Sequence, residues 1–108
     1  ECNEGQIWEA AMAAAHYRLD NLIAIIDYNK VMAKGKMSDL MPVEPLAEKF
    51  RAFGWKAIEC DGHDLRDICV AFHRAKYLEM NGKPVAVIAH TVKGRGLPEA
   101  EFNYHWHT

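Results

Sequence analysis

Two stretches of the chain are apolar at every position for the length of a strand: Leu22-Ile23-Ala24-Ile25-Ile26 and Val85-Ala86-Val87-Ile88-Ala89. A strand without a polar face has to be covered on both sides. That is the condition of a parallel sheet with helices packed over each face, so both stretches are expected in the middle of such a sheet. The segments between them fit. Residues 5–19 are Ala-rich, with Ile7, Ala11 and Ala14 on a helical stripe, and Asp20-Asn21 closes the run. Residues 44–53 read as a second helix, with Pro45 in its first turn, Leu46, Phe50 and Phe53 on its apolar face and Gly54 as its stop. Residues 55–60 form a short strand, and Asp64 is placed to cap a third helix over 65–80, ended by Asn81-Gly82-Lys83-Pro84. Residues 31–42 show no sustained period and read as a loop. The order helix, strand, helix, strand, helix, strand predicts an α/β fold with a parallel sheet and helices on both faces.

Half of the 108 residues are hydrophobic and 26% are charged, which excludes a disordered chain. Thirteen basic and 15 acidic residues give a net charge of −2. No basic half exists to drive binding to nucleic acid or to a membrane surface, so neither is expected as a partner. No apolar run approaches the roughly 20 residues of a membrane-spanning helix. Cys2, Cys60 and Cys69 are odd in number and form no CxxC pair, which argues against a disulfide framework or a structural zinc site and for a cytoplasmic setting.

Ligands of parallel sheets bind beyond the carboxyl ends of the strands. That rule selects Asp27-Tyr28-Asn29, Asp61-Gly62-His63 and the segment from His90 to Gly96. The first offers hard oxygen donors suited to Mg²⁺ or Ca²⁺, although Asp and Asn also serve simply to make a turn. In the third, Lys93-Gly94-Arg95-Gly96 supplies cations and flexible backbone for a phosphate, or a solvated basic loop. His63 reads as turn chemistry, and His90 ends a strand without an assigned role. His105 and His107 stand two residues apart with no third ligand nearby, which suits an acid–base group better than a metal site. Glu1, Glu4 and Glu9 bring negative charge to the start of the first helix, where the helix dipole favours it.

The opening Glu1-Cys2-Asn3-Glu4-Gly5-Gln6-Ile7-Trp8-Glu9-Ala10 resembles the segment that follows the Gly-Asp-Gly of thiamine-diphosphate enzymes, transketolase above all. Asp20 through Asn29 resembles the far end of that cofactor motif. Lys93-Gly94-Arg95-Gly96 through Trp106-His107 resembles the transketolase KGRG and WHG elements, with Thr108 in place of the last glycine.

The resemblance implies that Asn29, through its side-chain oxygen, and Val31, through its carbonyl, are ligands of a Mg²⁺ ion that Ca²⁺ or Mn²⁺ can replace. It implies that Lys93 and His107 line the thiamine diphosphate and substrate pocket, with His107 in the catalytic position, and that Glu4 lies at a subunit interface. The implied reaction is transfer of a two-carbon ketol unit between sugar phosphates. The implied partners are a pyrimidine-binding domain or C-terminal subunit, in a homodimer or heterotetramer. The Gly-Asp-Gly lies outside the sequence, so residues 1–108 are expected to be the C-terminal part of a diphosphate-binding domain, inactive alone. Alternatives are deoxyxylulose-phosphate synthase, a specialised sugar transketolase, or a non-catalytic α/β assembly module.

Overall fold

β5 (Val85–His90) is the axis of the fold. In the computed structural model, which describes residues 2, 4–29, 31–32, 35–36, 45–79, 81–92 and 94–97, its residues Val85, Ala86, Val87 and Ile88 are at most 1% exposed. β1 (Ile23–Tyr28) pairs parallel to one side of it and β4 (Lys56–Asp61) parallel to the other. The register runs unbroken, from Ile23 and Lys56 beside Val85 to Tyr28 and Asp61 beside His90.

Period-two alternation then sorts the core onto two faces. Val85, Val87 and Ala89 look to one side with Ile23, Ile58 and Cys60, beneath Ile68, Ala71 and Ala75. Those three come from α3 (Leu65–Arg74) and the π-helical turn Ala75–Glu79 that continues it. Ala86 and Ile88 look to the other side with Ala24, Ile26 and Tyr28. This face is covered by α1 (Gly5–His16) and α2 (Leu46–Ala52) through Ala11, Ala14, Leu46, Ala47 and Phe50. The expected α/β sheet with helices on both faces is therefore the observed one.

The small buried residues of α1 let its backbone come close enough for Trp55 to donate from Nε1 to the Ala11 carbonyl at 2.8 Å, satisfying the indole inside the core. Trp8 lies against Phe50 and Phe53 with ring centroids at 5.0 and 5.6 Å. Burying one ring such as Phe50 stabilises the fold by about 1.5–3 kcal/mol, and this aromatic cluster fastens α1 to α2. Asp64 caps α3, its Oδ1 accepting from the backbone N–H of Arg66 at 3.0 Å and of Asp67 at 3.3 Å. Burial pushes the Cys60 thiol pKa up, and the nearby Asp67 and Asp61 carboxylates push the same way, so this side chain behaves as a small protonated apolar group.

The structure corrects several details. Among the described residues β1 flanks the sheet, and Ile25 is 61% exposed, because the helical cover on that face lies over β4 and β5 and reaches β1 at Ile23. The expected loop over 31–42 contains a short antiparallel hairpin, β2 (Val31–Met32) with β3 (Gly35–Lys36). Pro45 precedes α2 as its capping residue instead of lying in its first turn. α1 begins at Gly5, so Glu4 is its capping residue, Glu9 lies beyond the first turn, and that turn holds no acid. Among the described residues, no helix is long and apolar enough to cross a membrane.

Candidate functional site

The parallel register brings the carboxyl ends of all three strands to one rim. β1 leads to Asn29, β5 to Thr91 and Val92, and β4 to Gly62 and His63. Backbone bonds carry the pairing past the strand ends: Thr91 N–H donates to the Tyr28 carbonyl at 3.2 Å and Gly62 N–H to the His90 carbonyl at 2.8 Å. Cys2 and Trp8 pack against Tyr28, Leu46 and Ile88, which sets the N-terminal turn of α1 at the same rim.

Side chains join the three loops. The Asp27 carboxylate receives the Thr91 hydroxyl on one oxygen and the Asn29 amide nitrogen on the other, the latter at 3.2 Å. Val92 N–H donates to His63 Nε2 at 2.7 Å. An accepting Nε2 places the ring proton on Nδ1. His63 is itself held by its backbone N–H donating to Asp61 Oδ1 at 2.9 Å, and Asp61 N–H donates to Asp67 Oδ2 at 2.6 Å. His90 sits edge-on to Tyr28 with centroids 5.3 Å apart and shares a 2.9 Å hydrogen bond with Glu59.

Gly62 is required by proximity. A Cβ there would overlap the Thr91 methyl group and come within 3.1 Å of the His90 carbonyl oxygen. Overpacking of this kind costs about 1–3 kcal/mol. Gly62→Ala is accordingly expected to lower the unfolding free energy of the full polypeptide by about that amount in urea melts. An unchanged midpoint would mean that the β4 and β5 loops do not meet as described. Beyond Val92 the chain turns twice, Arg95 N–H donating to Val92 at 3.1 Å and Leu97 N–H to Gly94 at 2.9 Å. The second turn starts from a left-handed Gly94 with φ of +78°.

Of the residues singled out in the sequence, Asn29 stands half-buried at this rim beside Asp27. The backbone of Val31 begins β2, two residues further on. Glu4 is exposed at the start of α1 and its side chain makes no capping bond. Lys93, His105 and His107 lie outside the described residues. The sequence reading missed the pairings of Asp27 with Thr91 and of His63 with Val92. The one available signal was that these residues follow the ends of neighbouring strands. Among the described residues no three His, Cys, Asp or Glu side chains converge as a metal site. The oxygen donors at the rim include the Asn29 amide, the Asp27 and Asp61 carboxylates and main-chain carbonyls. Such a set fits Mg²⁺, which takes few protein ligands and fills its octahedron with water and phosphate oxygens.

A parallel α/β sheet that gathers oxygen donors and glycine turns at the carboxyl rim defines a ligand-binding domain of the open-sheet class. The chain belongs to the transketolase family: it matches the model of the transketolase thiamine diphosphate binding domain over residues 1–108. It is 46% identical over 101 residues to the 6-deoxy-6-sulfo-D-fructose transketolase subunit SqwG of a Clostridium species, covering 94% of this chain and 36% of that protein. It is 43% identical over 107 residues to one of the subunits of the apulose-4-phosphate transketolase of Actinobacillus succinogenes, covering 99% of this chain and 38% of that protein. Against human transketolase the identity is 40% over 111 residues, covering 99% of this chain and 16% of that protein. The crystal structure of Campylobacter jejuni transketolase superposes with a TM-score of 0.86 at 31% identity, covering 95% of this chain and 16% of that one. The chain thus spans little more than a third of the two bacterial subunits and about a sixth of the longer enzymes.

Proposed function

We propose that residues 1–108 supply the metal and diphosphate rim of a transketolase, which moves a two-carbon ketol unit from a ketose phosphate to an aldose phosphate. The observation that carries the reading is the family match along the whole sequence, joined to an Asn29 amide held at the carboxyl rim with its nitrogen on Asp27. Thiamine diphosphate, when bound, supplies the carbanion-stabilising chemistry of carbon–carbon cleavage.

The protein's own residues bind and orient. Asn29 through its side-chain oxygen and Val31 through its carbonyl hold Mg²⁺, with Ca²⁺ or Mn²⁺ able to replace it. The cation offsets diphosphate charge that is costly to remove from water. Lys93 adds positive charge to the phosphate side of the pocket. His107 stands by the donor ketose, where it hydrogen-bonds the sugar and moves a proton or stabilises developing oxyanion charge. Glu4 belongs to an interface between subunits. Residues 1–108 form the C-terminal part of the diphosphate-binding domain, inactive alone and completed by a pyrimidine-binding domain or C-terminal subunit in a cytoplasmic homodimer or heterotetramer. The two bacterial relatives, named as subunits of sugar-specific transketolases, favour a two-polypeptide enzyme with a specialised sugar substrate.

The assembled protein is the material for the test. With thiamine diphosphate, Mg²⁺, a ketose phosphate and an aldose phosphate, mass spectrometry is expected to find one product two carbons shorter than the donor and one two carbons longer than the acceptor. Cofactor binding without transfer between any such pair, sulfosugars and apulose 4-phosphate included, would favour a non-catalytic assembly module and overturn the reading.

A further inference from the structure

We propose that Asp27 is a positioning residue: its carboxylate fixes which way the Asn29 amide faces and so presents the amide oxygen to the cation. The inference rests on the reading of Asn29 as a metal ligand.

An ionised carboxylate only accepts hydrogen bonds, whereas a primary amide has a donating end and an accepting end. Facing Asp27 Oδ2 at 3.2 Å, Asn29 can turn only its nitrogen toward it, since its oxygen would meet another oxygen of like partial charge. The two ends of a planar amide point apart, so holding the nitrogen on Asp27 directs Oδ1 away from Asp27. A flipped amide would offer the cation two N–H groups and no lone pair.

The carboxylate is fixed in turn. Its other oxygen accepts from the Thr91 hydroxyl, and the Thr91 backbone is tied to β1 by its N–H to the Tyr28 carbonyl. Asp27 itself lies within β1, in register with Ala89 of β5. Rotation of the carboxyl group therefore breaks one of two bonds, which come from the residues just past the ends of β1 and β5. A mere turn residue would need neither of them, and the Thr91 partner is 64 residues away in sequence. The same Thr91 precedes Val92, whose N–H is held by His63, so the network that orients Asn29 also sets where the chain leaves toward Lys93.

The test is calorimetric titration of Mg²⁺ into the assembled protein at saturating thiamine diphosphate, with melting of the apoprotein recorded beside it. Asp27→Ala is expected to weaken Mg²⁺ binding by about tenfold or more, as loss of a metal ligand's supporting partner does, with little change in apoprotein melting. Asp27→Asn keeps an oxygen for the Asn29 nitrogen and a donor for the Thr91 hydroxyl, so its binding should stay within about fivefold of wild type. Thr91→Val keeps the shape, removes the donor that locks the carboxylate, and should weaken binding by about fivefold.

Wild-type Mg²⁺ affinity in Asp27→Ala overturns the proposal. Should that variant fail to fold, wild-type affinity in Thr91→Val overturns it instead. Asp27→Asn as weak as Asp27→Ala also overturns it, because charge rather than orientation would then be what Asp27 supplies. Asn29→Ala separates the two levels. If it weakens Mg²⁺ binding while Asp27→Ala does not, only the positioning role fails. If it leaves binding unchanged, the metal reading fails and takes the positioning role with it.

Discussion

Asn29→Ala in the assembled enzyme is expected to raise the Mg²⁺ concentration needed for half-saturation by about 100-fold, the upper end of what loss of a ligand's supporting partner costs. Mg²⁺ demands near-ideal octahedral geometry and gives up water reluctantly, so a site with few protein oxygens depends heavily on each. Alanine leaves the main chain of β1 and its pairing with β5 in place, since both depend on residues 23–28. The loss should therefore appear in metal-dependent cofactor binding and not in the melting of the apoprotein. Unchanged Mg²⁺ dependence would remove Asn29 from the site.

The second large effect is expected at His107. His107→Ala should lower turnover by about 100-fold or more, the scale on which a positioned acid–base group acts, while Mg²⁺-dependent binding of thiamine diphosphate stays near wild type. The split follows from the two roles proposed. In the proposed roles Asn29 serves the diphosphate and the cation, and His107 serves the sugar. Wild-type rates across donor ketoses would reduce His107 to a structural residue.

The sheet was legible in the sequence because it is written as apolar runs. Val85–Ala89 has no polar position, and its first four residues are each at most 1% exposed. Leu22–Ile26 looks equally central, yet β1 flanks the described sheet with Ile25 exposed. Local pattern reports how apolar a strand is and carries no record of which neighbours pair on its edges. Strands β2 and β3 of two residues each fall below any period. The helical stripe of Leu65 onward carries no sign that winding changes to a π turn at Ala75.

The strand-end rule placed Asn29, the glycine turn and Gly62 beyond the carboxyl ends of the strands, and the structure has them there. The rule missed what holds them together. Asp27 and Thr91 meet only because β1 and β5 share a register, and His63 reaches Val92 only because β4 lies on the other side of β5. His63 read alone is a turn residue; beside Val92 it is the acceptor that fixes a loop.

The central claim is that the carboxyl rim of this sheet, through the Asn29 oxygen, holds the cation that tethers the diphosphate. Anomalous diffraction from crystals of the assembled enzyme soaked with Mn²⁺ and thiamine diphosphate tests it most directly. The account predicts a manganese peak at coordination distance from Asn29 Oδ1, with Nδ2 still on Asp27. A fully occupied cofactor whose manganese lies away from Asn29, or an amide that turns its nitrogen to the ion, would contradict it.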